Sequence, residues 1–394
     1  EHSRYRPFLR WSGPSEKRIE YHHADLVHCR CRQHPMGRFR LQLGIRHRFY
    51  GIGQSAGSCD WRFRQSIPAR YHHRHTDFGQ HPRTDLRHVP VHVCHYHSAL
   101  ILGAFAERIK FSGYMVFIIL WVILAYFPMA HWVWGGGFLQ EMGAIDFAGG
   151  TVVHVNAGIS ALVMAIMLGQ REDYRIGHPI TPHNITFVFL GTSFLWLGWF
   201  GFNAGSGLAA DGLAANAFMV THIATAVAAV TWMAIDWICN KKPTTVGACT
   251  GAVAGLVAIT PAAGTVDLLG AFFIGLITPI VCFFMVAVVK PKFKYDDALD
   301  AFGVHGIGGI VGSILTGVFA TQYITGEGGQ QGALYGDWHQ LWIQIFATLV
   351  SIVFSAVITF ILYKVVDSWI GIRVSRRVEE EGLDIYEHGE SAYN

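Results

Sequence analysis

The chain has 394 residues, of which 52% are hydrophobic and only 14% are charged, and its formal net charge is +3. This charged fraction is about half of the roughly 25% found in soluble domains, and 44 glycines suit close packing between helices. The composition therefore excludes an ordinary soluble enzyme and predicts a polytopic membrane protein of the all-α class. We interpret Cys239, Cys249 and Cys282 as packing residues, because the seven cysteines show no zinc-like or redox spacing.

The first quarter of the chain differs from the rest. Residues 1–98 hold 17 of the 30 Lys and Arg and 14 of the 22 His, and they show neither helical nor strand periodicity. Three interpretations are open. The segment is a disordered basic arm, a metal or nucleic-acid module suggested by YHHADLVHCRC, or a stretch translated out of frame. The ligand spacing of YHHADLVHCRC matches no zinc pattern.

A shift of one nucleotide gives residues 1–98 an apolar pattern. Met36 is encoded by ATG and Gly37 begins with G, so the shifted codon is TGG, which encodes tryptophan. Permitted codons elsewhere give FYGGLVRRKNVLST, ILWVVFGYSLAFGTDFMG and, around one undetermined residue, MFQ and MFVIITP, for residues 8–21, 34–51 and 88–98. One missing nucleotide near Ser98 and Ala99 would therefore explain the change in composition.

From Ala99 onward, apolar runs of about the 20 residues needed to cross a bilayer recur with short polar breaks. A fragment of one span ends at Glu107. We predict eight further spans, at about 113–132, 148–169, 185–206, 213–239, 246–262, 267–289, 304–323 and 339–366.

The breaks between these spans alternate in charge. Lys and Arg occur in one set, residues 106–110, 169–175, 239–243 and 289–294. None occurs in the other set, residues 132–146, 208–216, 259–267 and 323–340. Positively charged loops stay cytoplasmic. We therefore predict a membrane domain over residues 99–369 and a cytoplasmic tail over residues 370–394.

Lone histidines lie in two of the predicted spans, His154 in TVVHVNAG and His305 in DAFGVHGIG. Burying an unpartnered polar group costs about 2–7 kcal/mol. Inside a membrane span such a side chain marks a path for polar cargo, or it forms a hydrogen bond between helices. The residues alone leave both interpretations open.

Several strings together resemble the ammonium transporter (Amt/Mep/Rh) family, on its Amt branch. They are DFAGGTVVHVNAG, AHWVWGGG, GWFGFNAGS, TPAAG, DAFGVHGIGGIVG and EGLDIYEHGESAYN. The resemblance covers residues 99–394, and the shifted frame extends it through the family's first three helices. The resemblance implies a fold of eleven transmembrane helices with an inverted repeat. Helices 4–11 of that fold are readable here. It also implies an assembly of three protomers, each with its own pore.

The resemblance also implies an outer recruitment site. Trp134 would offer its ring face to NH4+ by a cation–π contact of about 0.5–2 kcal/mol, and Ser206 would accept a hydrogen bond from the same cation. Asp146 would support the cation electrostatically without touching it. The residues alone also allow Trp134 to belong to an interfacial aromatic belt and Asp146 to be a helix N-cap.

The pore residues come from the same resemblance. Phe202 would be half of a stacked gate, whose partner aligns with Val93, a position that reads as phenylalanine only in the shifted frame. His154 and His305 would face each other in a narrow apolar pore that conducts ammonia. We interpret Asp300 as the acid that corresponds to Asp146 in the second half of the repeat. The glycines of FGVHGIGGIVG are interpreted as sites of close helix approach.

The predicted function is therefore ammonium/ammonia transport across the inner (plasma) membrane by a lipid-embedded homotrimer, without enzyme activity, cofactor, metal or nucleic acid. The tail EEEGLDIYEHGESAYN would lie under the pore and couple to a PII-type signalling protein. Two alternatives are open. One is an ammonium sensor of the same fold, for which we expect a fused kinase or cyclase that the sequence up to Asn394 does not contain. The other is an N-terminal metal-binding module on a membrane anchor.

We predict that the coding DNA lacks one base near the codon for Ser98. Sequencing the gene around codons 95–100 tests this prediction. An intact reading frame there, or shifted codons that contain stops or spell other strings, would contradict it.

Overall fold

The computed structural model describes residues 100–178 and 180–391, together with three short strands in residues 17–43. The chain divides into two compact units, Glu1–Gln80 and His81–Asn394. The predictions that concern Val93, Ser98 and Ala99 lie outside the described residues.

The strands of the first unit are β1 (Lys17–Ile19), β2 (Cys29–Gln33) and β3 (Phe39–Leu43). They form an antiparallel sheet in the order β1-β2-β3. The sequence did not predict these strands, because this stretch lacks the alternation of polar and apolar residues that marks a half-buried strand.

Residues 100–391, as far as described, are helical apart from an isolated bridge between Ile109 and Arg373. This architecture confirms the predicted all-α membrane class. The α-helices are α1 (Phe111–Trp121), α2 (Phe127–Trp134), α3 (Phe138–Glu141), α4 (Asn156–Leu168), α5 (Glu172–Ile176), α6 (Ile185–Gly205), α7 (Gly212–Asn240), α8 (Thr245–Ile259), α9 (Leu268–Phe284), α10 (Lys290–Phe293), α11 (Ile307–Phe319), α12 (Gln322–Thr325), α13 (Trp338–Ile370) and α14 (Arg376–Glu381). π-Helical turns occupy Val122–Tyr126, Gly150–Val155, Met285–Val289, Phe302–Gly306 and Asp384–His388, and a 3-10 turn occupies Ala333–Tyr335.

Each of the eight predicted spans contains a helix. Seven helical stretches in the described residues are long and apolar enough to cross a membrane: Phe111–Glu141, Gly150–Leu168, Ile185–Gly205, Gly212–Asn240, Leu268–Phe293, Phe302–Phe319 and Trp338–Ile370. The remaining span is α8, an apolar helix of 15 residues. It ends at Ile259, and Pro261, two residues further on, lacks the N–H group that would continue the helical hydrogen bonds. The chain is thus a multi-pass membrane protein.

The two helical segments that carry the histidines cross at glycines placed four residues after each histidine. A Cβ at Gly158 would lie 2.2 Å from the backbone nitrogen of Gly306. A Cβ at Gly309 would lie 3.0 Å from the Cβ of His154. Only glycine lets the two backbones approach this closely, which supports the interpretation of the glycine-rich FGVHGIGGIVG string.

We predict that Gly158→Ala lowers the thermal unfolding temperature of the detergent-solubilised protein. The added methyl group must displace the backbone of the crossing helix, and such overpacking typically costs about 1–3 kcal/mol. The matched control is Gly212→Ala, where a Cβ meets no atom within 4 Å. Equal unfolding temperatures for the two variants would contradict the close crossing.

Candidate functional site: a buried pair of imidazoles

The structure brings the two predicted pore histidines together. The Nδ1 atoms of His154 and His305 are 3.4 Å apart, and the ring centroids are 5.4 Å apart at an interplanar angle of 23°. His154 is 1% exposed. Both residues lie in π-helical turns, Gly150–Val155 and Phe302–Gly306, a local structure that is frequent at functional sites. A neutral imidazole has one donor and one acceptor nitrogen, so one ring can donate an Nδ1–H to the Nδ1 of the other in this contact.

Two aromatic side chains of α6 pack against His154 in this pair. Trp199 stacks on His154 with centroids 5.3 Å apart and an interplanar angle of 11°, and its Nε1 donates a hydrogen bond to the Thr260 hydroxyl at 2.8 Å. Phe202, the predicted gate residue, packs edge-on against both His154 and Trp199. Trp199 was not predicted as a site residue from the sequence, although its position three residues before Phe202 places both side chains on one side of the helix.

Asp146 caps the helical segment that contains His154. Its carboxylate accepts hydrogen bonds from the backbone N–H groups of Gly149 and Thr151 at 2.8 Å and of Val152 at 3.1 Å. Burial raises the pKa of the Asp146 carboxyl above its usual value, and the hydrogen bonds from Thr151 and the backbone oppose that rise. The carboxylate therefore fixes the start of the segment and places negative charge at a helix N-terminus.

Asp297 does the same for the segment that contains His305. Its two carboxylate oxygens accept from the N–H groups of Ala301 at 2.9 Å and Phe302 at 2.8 Å. Burial, together with the nearby charge of Asp300, raises the pKa of Asp297 to about 6. Asp300 itself pairs with Lys290 at 2.7 Å. The interpretation of Asp300 as the counterpart of Asp146 is therefore wrong.

The signal for Asp297 was present in the sequence. Asp146 stands eight residues before His154, and Asp297 stands eight residues before His305, whereas Asp300 stands five residues before His305. The shared spacing places both acids at the start of equivalent segments, as an inverted repeat requires.

The two predicted recruitment residues are held by different partners. The Trp134 Nε1 donates to the backbone carbonyl of Asp146 at 2.7 Å, and its indole lies beside Gly149, where a Cβ would be 3.4 Å from Cη2. The Ser206 hydroxyl donates to the Phe202 carbonyl of its own helix at 2.9 Å. Its oxygen keeps lone pairs that can accept another hydrogen bond. Trp134 is thus connected to the His154 segment through Asp146, and Ser206 is connected through Phe202.

Comparison with known proteins places this site in a family. A model of the Ammonium Transporter Family matches residues 49–393. The chain belongs to the ammonium transporter family. An ammonium transporter of Aquifex aeolicus is 54% identical over 297 residues, which cover 75% of this chain and 68% of that protein. An ammonium transporter of Bacillus subtilis is 50% identical over 296 residues, covering 75% and 72%.

Solved structures of the family resemble the described fold. The crystal structure of Saccharomyces cerevisiae Mep2 matches with a TM-score of 0.68 and 38% identity. That match covers 72% of this chain and 65% of Mep2, so the chain spans slightly less than two thirds of Mep2. A structure described as a sensor Amt protein matches with a TM-score of 0.69 and 31% identity, covering 75% of each chain.

The C-terminal tail of this family member contacts the loop that follows the His154 helix. The Arg373 guanidinium donates to the carbonyls of Leu168 and Gln170 and pairs with Glu379 at 2.8 Å. Glu379 also accepts a hydrogen bond from the Glu172 backbone at 3.0 Å. The tail is thereby connected to the end of the helical segment that carries His154.

A buried ion cluster connects the same loop to the other histidine segment. Arg171 pairs with Asp296 at 2.8 Å, and the fully buried Arg108 donates to the Asp296 backbone. Burial lowers the pKa of Arg108 to about 10. Burial alone would raise the pKa of Asp296, but the hydrogen bonds from Arg171 outweigh it and lower that pKa. Asp296 directly precedes the capping Asp297, so the cluster fixes the start of the His305 segment. Among the described residues, no group of three or more His, Cys, Asp or Glu side chains could hold a metal ion.

We predict that Asp146→Ala destabilises the protein more than Asp211→Ala. Asp146 is 7% exposed, and its loss leaves several backbone N–H groups without acceptors, each at a cost of about 1–3 kcal/mol when buried. Asp211 is an exposed N-cap of α7 that accepts from Leu213 and Ala214, and the loss of such a cap costs about 1 kcal/mol. Thermal unfolding in detergent measures the difference. A larger shift for Asp211→Ala would contradict the capping role.

Proposed function

We propose that this protein is a channel-like transporter that recruits NH4+ outside the membrane and conducts NH3 past His154 and His305. The observation that carries the proposal is the Nδ1 contact of 3.4 Å between these imidazoles, at the crossing of two apolar helices. Helix packing alone does not require a polar pair at that position. The passage of a small hydrogen-bonding molecule requires polar groups along its path.

Recruitment depends on Trp134, Ser206 and Asp146. The hydrogen bond from Trp134 Nε1 to the Asp146 carbonyl fixes the indole, whose ring face attracts a cation by about 0.5–2 kcal/mol. The lone pairs of Ser206 accept an N–H of the same cation. The Asp146 carboxylate adds negative charge without direct contact, because its oxygens already accept backbone and hydroxyl hydrogen bonds.

Conduction as ammonia follows from the apolar surroundings of the pair. The Phe202 ring packs edge-on against His154 and would close the approach to the pair. A charged ammonium beyond it would leave water for a medium of low dielectric constant. Transfer of one proton from the ammonium to water on the outer side leaves neutral NH3 and removes that cost. The neutral imidazoles then offer the passing ammonia both a donor and an acceptor. A dehydrated K⁺ ion cannot lose its charge and is excluded.

One face of α6 supports the proposal that residues 1–98 are an out-of-frame segment in place of the family's first three transmembrane helices. Four glycines recur on this face, and a Cβ on any of them would meet no atom within 4 Å: Gly191, Gly198, Gly201 and Gly205. Glycine inside a helix costs up to about 1 kcal/mol relative to alanine, and close approach of another helix is the usual reason for it. We propose that the helices encoded by the shifted frame pack here and complete the pore wall beside Phe202.

The matched length supports the same proposal. The 297 residues aligned with the Aquifex aeolicus protein equal the length of the chain from Ser98 to its end, although the family model reaches back to residue 49. The domain organisation is then an out-of-frame segment at 1–98, a membrane domain at 99–369 and a tail at 370–394.

The proposed assembly is a homotrimer with the tail in the cytoplasm. Within residues 99–369, the loops that contain Lys or Arg all lie on the side of the tail, which supports a cytoplasmic C-terminus. The contacts of Arg373 and Glu379 with the loop beside the pore would allow a PII-type partner at the tail to influence conduction.

An ammonium sensor is the second candidate, favoured by the likeness to a sensor Amt protein. Flux distinguishes the two. A transporter moves methylammonium down its gradient in liposomes, whereas a protein that only senses ammonium binds it without net flux.

We predict that His154→Ala and His305→Ala, in the frame-restored protein, change flux by about tenfold or shift selectivity towards K⁺. Each variant removes one hydrogen-bonding group from the path, and a hydrogen bond contributes about 0.5–1.5 kcal/mol. Current and ion selectivity are measured in liposomes and normalised to intact oligomer. His339→Ala, an exposed histidine at the start of α13, is the control.

If the histidines only hold helices together, the variants lose stability while flux per folded oligomer stays constant. Unchanged current and selectivity in both variants would therefore refute the proposed pore.

A further inference from the structure

A row of polar side chains on α13 lies against the segment that carries His154. Each member donates a hydrogen bond of 2.7 to 3.0 Å to a residue 199 or 200 positions earlier in the chain: Gln344 to Ile145, Ser351 to Thr151, Ser355 to Asn156 and Thr359 to Ser160. All four donor side chains are buried. The nearly constant offset means that the two segments run in the same direction in a fixed register. We call Gln344, Ser351, Ser355 and Thr359 the polar row.

Ser351 is the member of the polar row that contacts the π-helical turn Gly150–Val155. Its fully buried hydroxyl donates to the Thr151 carbonyl at 3.0 Å. The same carbonyl accepts the backbone N–H of Asn156, five residues further on, which is the hydrogen bond that defines a π-helical turn. A carbonyl oxygen has two lone pairs and accommodates both donors. The hydroxyl on α13 therefore acts directly on the turn that carries His154.

The direction of the His154 side chain depends on this turn. In an α-helix the Thr151 carbonyl would accept from Val155, four residues further on. Successive residues of an α-helix are rotated by about 100°, so a change from π-helical to α-helical bonding would rotate the residues before the turn relative to those after it by about that angle. Because His154 lies within the turn, the change would displace its ring from the contact of 3.4 Å with His305.

Gly309 of α11 packs against the same turn. A Cβ at this position would lie 3.0 Å from the Val155 nitrogen and 3.1 Å from the Gly150 carbonyl oxygen. The backbone of α11 therefore confines the turn, while Ser351 supplies a hydrogen bond from α13. The shape of the turn is then determined by two neighbouring helices as well as by its own backbone.

We propose that Ser351 is a positioning residue for the histidine pair, whose hydroxyl keeps the turn Gly150–Val155 in its π-helical form and so fixes the direction in which His154 meets His305. It acts through the backbone carbonyl of Thr151. The consequence for conduction rests on the proposed pore, whereas the geometry of the turn does not depend on what is transported.

The test compares Ser351→Ala with Thr348→Val in the frame-restored full chain in bilayers. Thr348 is a buried residue of the same helix, and its hydroxyl donates at 2.7 Å to the Gln344 carbonyl of that helix. This control therefore removes a buried hydroxyl without removing a hydrogen bond to the His154 segment. NMR of ¹⁵N- and ¹³C-labelled histidines should show displaced His154 resonances in Ser351→Ala and unchanged resonances in Thr348→Val. Unchanged His154 resonances in Ser351→Ala would overturn the proposal.

A conservative variant separates the hydroxyl from the packing of the side chain. Ser351→Thr keeps a hydroxyl at the same position and should keep the His154 resonances of the unsubstituted protein. Resonances like those of Ser351→Ala would contradict a role for the hydroxyl. A lower thermal unfolding temperature of Ser351→Ala, without a change in its His154 resonances, would show a packing role only and would also overturn the proposal.

Flux measures the consequence for the proposed pore. Methylammonium flux in liposomes, normalised to intact oligomer, should fall by about tenfold in Ser351→Ala, the scale of one lost hydrogen bond, and should stay constant in Thr348→Val. If the unsubstituted protein carries no flux while Ser351→Ala still displaces the His154 resonances, the proposed function fails and the positioning role stands. The two failures are therefore distinguishable.

Discussion

The close contact between the imidazoles of His154 and His305 is the interaction on which the described site depends. Two imidazoles can share a proton only if the backbones that carry them come close, and the glycines four residues after each histidine allow this. A methyl group at Gly158 or Gly309 would push the helices apart. The polar pair and the small residues are therefore one structural unit, although they differ in chemistry.

The starts of both histidine segments are fixed by buried carboxylates. Asp146 and Asp297 accept the N–H groups that would otherwise lack partners. On the side of the tail, Asp296 and its arginine partners hold the loop that leads to His305. The geometry of the histidine pair thus depends on a chain of contacts that reaches the tail.

Hydropathy and charge alternation predicted the eight spans, because membrane insertion is determined by local composition. Family strings identified His154, His305 and Phe202, which do lie together. The role of Trp199 depends on which rings are in contact, and the choice between Asp297 and Asp300 depends on which carboxylate accepts the backbone N–H groups. Similarity between sequence strings does not contain these three-dimensional contacts. The strands of residues 17–43 carry no readable periodicity, so their pairing could not be predicted.

The most direct test of the histidine pair is ¹⁵N NMR of the frame-restored protein in bilayers, with labelled histidines. We predict one protonated and one unprotonated Nδ1, with a scalar coupling between them through the hydrogen bond. Assignment to His154 and His305 follows from the loss of the coupling in either alanine variant. Two outcomes would contradict a proton shared between the Nδ1 atoms. In one, both rings are protonated only at Nε2 and no coupling is seen; in the other, both imidazoles are fully charged at neutral pH.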